Sequence, residues 1–520
     1  MRRIDSTIPV LRLVCIACLV LFVLINYAAA QFGAAPPPAS QATPLPLSGR
    51  GSQSGGVAVT QAPVPSTTTS VNTLNPTVSV QGAYAGSANS TAQRPFTGKL
   101  SLDDAIQRGI RFNLGAVGAN QSLRQTRSQA RAARSALLPN LSGDVNDTDE
   151  TLNLQTIGIS FSFPGFAIPA VVGPFNVLDL RAQLSQTIAD FTLLNNYRSA
   201  QEVARAGELS AKDARDLVVL AVAGQYLQVI AADARLRSAR VQLETANALY
   251  QRTMKQLNFG RATKLDVNRS HVEVLLDQQR LFTLENDAAK QKITLTRLTG
   301  LPPQSVYELS DEIPYKPAPP LSLEDAIRQA LDQRADLQSA KLQVKAAERA
   351  LAAAGAERYP AASASANYGD IGTVSNLHRT YTVSATLNLP IWNGGRTGAD
   401  IQQAQAALAQ RRAELEDTQS QIESDVRNAY LDLQAAASQV QVAQENIDLM
   451  AQTLSQTRER FETGVSENVD VVQSQESVSG ANLDYIDSVF AHNLAKLSLA
   501  RALGDPLDKL GQFLAVQPSQ

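Results

Sequence analysis

This chain has almost no raw material for metal or redox chemistry: its 520 residues include two cysteines, three histidines and one tryptophan. Both cysteines, Cys15 and Cys18, lie in one apolar run near the N-terminus, so everything beyond it must be held together without disulfides. His271, His378 and His492 are far apart and have no cysteine beside them; no metal-ligand spacing is present and no metal site is expected. Charge of one sign is also missing. The balance of 46 basic against 48 acidic side chains gives no electrostatic reason to expect a nucleic-acid partner. There is neither a Gly-rich phosphate loop nor a convergent polar cluster, so no catalytic residue and no cofactor are expected.

What is present begins with a targeting pattern. Arg2 and Arg3 precede an apolar run from Ile8 to Ile25, and Ala28, Ala29 and Ala30 stand before Gln31. Residues 1–30 therefore read as a secretory signal peptide, with the mature chain starting near Gln31. An uncleaved anchor is the alternative, because the run is near spanning length, and lipid attachment at Cys18 would leave part of it on the mature protein. From 31 to 95 the composition turns to Ala, Pro, Ser, Thr, Gly and Gln, with Arg50 and Arg94 the only charges. The expectation is a disordered leader that adds nothing to stability, since so little apolar surface cannot offset the entropy of ordering.

Beyond Pro95 the chain is duplicated. Leu100-Ser101-Leu102-Asp103-Asp104-Ala105-Ile106 returns as Leu321-Ser322-Leu323-Glu324-Asp325-Ala326-Ile327, and Pro139 as Pro360. Tyr226, Gly260, Asp266 and Gly300 return as Tyr430, Gly464, Asp470 and Gly504. This gives a first repeat over 96–310, a second over 311–505 and a C-terminal tail over 506–520. The first copy carries an insertion between Pro139 and Tyr226, where Pro, Gly and Phe crowd the stretch from Phe161 to Phe175 and predict a loop.

Each copy opens with a short helix capped by Ser101 or Ser322, then a second helix that ends before its proline. Alternation follows. Tyr381, Val383, Ala385 and Leu387 fall on one face, with Thr380, Thr382, Ser384 and Thr386 on the other. Leu178, Leu180, Ala182 and Leu184 repeat this in the first copy. Partner strands are expected near Leu141 to Phe163 and Ala361 to Ile371. About 10 residues of apolar-out, polar-in strand suit a tilted transmembrane β-strand, although a soluble sandwich offers the same pattern. Four strands cannot close a barrel and open edges are excluded from lipid, so in a membrane several chains must share one barrel. Two chains would give a bore filled by side chains; three give twelve strands and an open lumen.

Heptad seams run through Val218, Val222, Gln225, Val229 and Ala232, and again through Ile422, Val426, Ala429, Leu433 and Ala436. They predict long helices, the first from about Phe191 to Gln256. A plain coiled-coil rod, such as a periplasmic adaptor or scaffold protein, would share that periodicity.

The stretches Asn258-Phe259-Gly260-Arg261-Ala262-Thr263-Lys264-Leu265-Asp266-Val267 and Glu462-Thr463-Gly464-Val465-Ser466-Glu467-Asn468-Val469-Asp470-Val471 resemble the helix-hairpin tips of the TolC-type outer-membrane efflux family. So does Leu389-Pro390-Ile391-Trp392-Asn393-Gly394-Gly395-Arg396 at a strand-to-helix junction. The likeness covers Lys99 to Asp505. It implies an α+β membrane protein: a homotrimer in which each chain gives four strands to a twelve-strand outer-membrane β-barrel, continued by a coiled-coil α-helical tunnel in the periplasm. It also implies a passive duct in an efflux or type I secretion system. Its partners would be a periplasmic adaptor protein, an inner-membrane pump and outer-membrane lipid.

By the same resemblance Asp470, and less directly Asp266, become entrance-gate candidates. Gly260, Arg261, Thr263, Gly464, Val465 and Ser466 become adaptor-contact candidates, and Pro139, Pro360 and Pro390 mark the strand-helix junctions. Helix capping competes for both aspartates. The family's closing tyrosine and arginine are replaced here by Phe461 and Ser466, and its second acidic ring residue by Gln473, so the closing bonds must differ.

Overall fold

The computed structural model describes residues 43, 55–65, 72–88, 95–158, 162–163, 166–167, 169–312, 314–463, 465–504 and 506–514. The signal-peptide reading, with Cys15 and Cys18, lies outside them. Ten strands and nine α-helices are named here in chain order. β1 (Val57–Pro65) and β2 (Asn72–Val80) form a hairpin ahead of the repeats. The first repeat holds β3 (Thr97–Leu100), α1 (Leu102–Phe112), α2 (Leu114–Ser135), β4 (Asn140–Asn153), β5 (Ser162–Phe163), β6 (Phe166–Ala167) and β7 (Val171–Ala189). It continues through α3 (Phe191–Asn258), α4 (Lys264–Thr299) and β8 (Val306–Leu309). The second holds α5 (Leu323–Gln333), α6 (Ala335–Ala356), β9 (Ala361–Thr373), β10 (Asn376–Asn388), α7 (Arg396–Glu462) and α8 (Asn468–Ala502), and α9 (Pro506–Phe513) follows.

Local chemistry sets the helix starts. Ser101 accepts a bond from the Asp104 amide at 3.1 Å, and Ser322 one from the Asp325 amide at 3.2 Å, each beside acids that favour a helix N-terminus. At 68 residues α3 is about 100 Å long. Its apolar stretch is long enough to cross a bilayer by composition, yet most of it is buried inside the protein. The predicted seams are the buried lines: Val218, Val222, Gln225 and Val229 in α3, and Ile422, Val426, Ala429 and Leu433 in α7. Small residues let helices close up where α3 meets α6, and there Ser199 Oγ donates to the Ala346 carbonyl at 2.8 Å and Ser339 Oγ to that of Ala206 at 3.0 Å.

The four long strands form one antiparallel sheet, in the order β10-β9-β7-β4. Its register sorts the faces. Leu141, Leu184, Ala366 and Val383 stand in one cross-strand row, and Gly143, Ala182, Tyr368 and Tyr381 in another. The row between them, Ser142, Gln183, Asn367 and Thr382, is polar and points the other way. Leu141, Val383 and Tyr381 are each about three-quarters exposed in the isolated chain (75%, 74% and 76%). Among the described residues both outer edges, β4 and β10, lack a strand partner within the sheet. A coiled-coil rod needs no such sheet.

Two expectations require correction. The stretch expected to be a loop as far as Phe175 already runs as strand β7 from Val171, so the excursion is shorter and contains a 3-10 turn at Leu154–Ile157 and the β5-β6 pair. The leader expected over 31–95 is not without structure either. Val57, Val59, Val78 and Val80 of the β1-β2 hairpin pack on the core that includes Val219, Val222 and Leu494. Tyr84 is buried in the same core, and its carbonyl accepts from Asn113 Nδ2 at 2.7 Å. Gly224 makes room for this docking, since a Cβ there would stand 2.8 Å from Val78 Cγ2. The physical reason is that the hairpin borrows a core built by α3 and α8. Composition averaged over the leader measures only the core it could build alone.

Candidate channel entrance

Two helical hairpins, α3-α4 and α7-α8, end side by side. At the first tip Gly260 takes a left-handed backbone (φ +69), and the amide of Arg261 reaches back to the Gln256 carbonyl at 2.8 Å, closing α3. Thr263 then opens α4. Its Oγ1 donates to Asp266 Oδ2 at 2.6 Å, its amide donates to the same oxygen at 2.9 Å, and the Asp266 amide donates back to Thr263 Oγ1 at 3.2 Å. This is a closed capping box, and the bonds from Thr263 hold the Asp266 carboxyl below the usual carboxylate range.

The second tip has a capping box of its own, between Glu467 and Asp470. Gly464 lies outside the described residues. The amides of Val465 and Ser466 both donate to the Arg460 carbonyl, at 2.9 and 3.3 Å. Asp470 Oδ2 accepts from Ser466 Oγ at 2.7 Å and from the Glu467 amide at 3.3 Å. Asp470 is exposed and lines a 240 Å³ cavity with Met450, Thr453 and Gln473. Each aspartate therefore receives a bond from the backbone at its own helix start, and Ser466 takes on a bond that sequence reasoning did not foresee.

The tips touch through polar ties. Asn468 Nδ2 donates to the Asp266 carbonyl at 3.3 Å, and Arg252 pairs with Glu462 at 2.9 Å. Apolar surface surrounds them: Phe259, Leu265 and Val465 are all exposed. Behind the tips a 530 Å³ cavity runs between the two hairpins and is lined by Glu273 and Asp277 of α4 and by Gln475 and Ser479 of α8. Burial, then the nearby Glu476 and Asp277 charges, push the Glu273 carboxyl up to about 7. Burial raises Asp277 as well, opposed by Arg280 at 3.5 Å. The seam patterns missed these acids because the seams were followed on α3 and α7 only, whereas Glu273 and Asp277 are buried in line with Val267, Ser270 and Val274 on α4; an acid at a like place in each copy, Glu273 and Glu476, was the available signal.

At the far end the three prolines stand where helix and strand exchange. Pro139 lies between α2 and β4, Pro360 between α6 and β9, and Pro390 between β10 and α7. Gly394 and Gly395, both left-handed, complete the last of these turns. Exposed Tyr359, Ile391 and Trp392 lie at these junctions, beside the apolar rows of the sheet. Among the described residues no group of three or more His, Cys, Asp or Glu side chains is arranged to hold a metal ion.

This geometry has known relatives. The profile of the outer membrane efflux protein family matches residues 116–301 and 326–505, one match in each repeat. The pyoverdine export outer membrane protein OpmQ of Pseudomonas aeruginosa is 25% identical over 424 residues, covering 78% of this chain and 85% of OpmQ. Among solved structures, the outer membrane protein VceC of Vibrio cholerae superposes with a TM-score of 0.65 at 19% identity, over 78% of this chain and 96% of that one. The outer membrane channel CmeC of Campylobacter jejuni gives 0.67 at 15% identity, over 79% and 89%. The family consists of transport conduits, so the choice between a duct and a coiled-coil adaptor falls to the duct. A profile that spans both repeats, on a fold with two-faced strands at one end and paired helical hairpins at the other, means that the chain belongs to the outer membrane efflux protein family and is an outer-membrane channel subunit of a tripartite efflux or secretion system.

Proposed function

We propose that three copies of this chain close one barrel and one periplasmic tunnel, and that the hairpin tips form an entrance opened by a periplasmic adaptor and an inner-membrane pump. The observation that carries this reading is the four-stranded sheet with two open edges and outward apolar rows. Unpaired strand edges cannot stand in lipid, and joining β4 of one copy to β10 of the next satisfies both. The duct is passive and draws its energy from the pump.

Asp470 is the gate residue in this reading. Threefold symmetry brings three copies of an exposed carboxylate towards one axis, where a ring of like charge attracts cations and restricts flow. Asp266, enclosed by its capping box, serves as a cap. The exposed Phe259, Leu265 and Val465, framed by Gly260, Arg261, Thr263 and Ser466, offer the adaptor an apolar docking surface. Single-channel recording in planar bilayers tests the assignment. Asp470→Ala raises conductance and weakens block by multivalent cations, while Asp266→Ala leaves both near wild type; equal behaviour of wild type and Asp470→Ala would remove the gate assignment. A detergent-free monomer recovered from the periplasm would remove the trimer.

A further inference from the structure

Helix α8 is buried on every side from Phe490 to Leu497, and two of its side chains there are basic. His492 and Lys496 have no exposed surface (0% each). Four residues apart, they are neighbours on one helix face. An ammonium group has three donors. Among the described residues, that of Lys496 makes one hydrogen bond, to the Lys316 carbonyl at 2.9 Å. Among the same residues neither ring nitrogen of His492 has a hydrogen-bond partner, and the ring lies against Tyr315 with centroids 4.9 Å apart. The roof over the pair is thus the segment that joins the two repeats. The further charge it brings near Lys496 is that of Lys316, of the same sign.

Buried donors in native proteins are matched by a protein group, an ordered water or an ion. A water would complete the hydrogen bonds and leave the ammonium charge without a counter-charge, which is the costly part of its burial. We propose that His492 and Lys496, roofed by Tyr315 and Lys316, form a binding site for a small monovalent inorganic anion of chloride size. Complete burial limits the occupant to atomic dimensions, and the surrounding charges set its sign. Burial, with Lys316, brings the Lys496 ammonium down to about 8, and burial, with Lys496, brings His492 down to about 4. Near neutral pH the pair therefore carries one positive charge, and a neutral imidazole offers one further donor. The anion pins the inter-repeat segment onto α8 and so ties the start of the second repeat to the helix that ends it. The site is independent of how the entrance is gated.

Crystals of the detergent-solubilised trimer grown in sodium bromide test the site directly. The expected result is an anomalous-scattering peak within hydrogen-bonding reach of Lys496 Nζ and His492. A water-sized peak with no anomalous signal there, or a carboxylate from another part of the assembly, overturns the proposal. In solution the trimer melts several degrees higher in sodium chloride than in sodium gluconate at equal ionic strength, and Lys496→Met abolishes the difference. The same difference in Lys496→Met, or none in the wild type, counts against the site. Should that variant fail to assemble, the bromide experiment on the unaltered protein decides.

Discussion

The waist of the molecule, where α3 and α8 share a core, and its hairpin tips are built from the same helices, but the helices are held there in different ways. At the waist Val218, Val219, Leu220, Ala221, Val222 and Ala223 are buried in an unbroken run, and Tyr226, Leu494 and Leu497 fill the space between α3 and α8. Tyr226 donates to the Leu100 carbonyl at 2.9 Å and to Asp311 at 2.8 Å, joining the two repeats. Towards the tips the α7 seam thins: Ile447, Met450 and Leu454 are only half-buried, and although Val267 and Val471 stay buried, polar bonds such as Asn468 to the Asp266 carbonyl and Arg252 to Glu462 help tie the hairpins together. Apolar packing is lost as a block, whereas a net polar bond contributes about 1 kcal/mol and can be exchanged for water. The middle of each long helix is packed as a block, and its tip end is held by fewer and weaker contacts.

The largest test of this contrast is at the waist. Tyr84→Ala empties an aromatic-sized space in the shared core and should cost about 3–5 kcal/mol, read as a marked fall in trimer melting temperature with single-channel conductance unchanged. Unchanged melting would show that the turn following the N-terminal hairpin adds nothing to that core.

Next in size is acid dependence at the entrance. Glu273 faces Glu476 across the hairpins, Asp277 and Arg280 lie on its own helix, and Arg237 and Arg458 line the same cavity. Its carboxyl rises from 4.5 to about 7 on packing, so the packed state holds the extra proton. Packing is therefore fully favoured below pH 4.5, weakens as pH climbs to about 7, and stays weakened above it. Hydrogen exchange at the α4 and α8 tips should be slower at pH 5 than at pH 8 after correction for intrinsic rates. Glu273→Gln should flatten that profile, with an effect of about 1–3 kcal/mol at the alkaline end. A profile unchanged in the variant would rule out Glu273 as its source.

Smaller still is the cap. Thr263→Ala opens the first capping box at a cost of about 1 kcal/mol, seen as faster exchange in the first turn of α4, and Ser466→Ala should do less, because the second box is closed by Glu467 and Asp470 without it. Equal effects at the two tips would erase the distinction between them. The smallest effect belongs to Arg252→Ala. This pair with Glu462 is half-exposed and should be worth about 0–1 kcal/mol, fading as salt is added.

Which parts of the molecule were legible in the sequence follows the same division. The sheet was readable because alternation is a local property, and the row Leu141, Leu184, Ala366 and Val383 is what four such strands make when paired in register. The caps at Ser101 and Ser322 and the turns at Pro139, Pro360 and Pro390 were readable for the same reason. The N-terminal hairpin was not, since Val57, Val59, Val78 and Val80 are stable only against helices more than a hundred residues away, and Tyr84 beyond it packs against Asn113 and Gly115 at the start of α2. Lys496 and Glu273 were also hidden. A helix sequence shows spacing, but which other element covers each face is settled by tertiary packing.

The unpaired edges of β4 and β10 have a consequence for inheritance as well as for architecture. A barrel shared among identical subunits fails if one of them presents a faulty rim, because the ring then has a gap that its two sound neighbours cannot bridge. A second copy of the gene carrying a proline in β10 would therefore spoil most mixed assemblies, and the defect would be dominant.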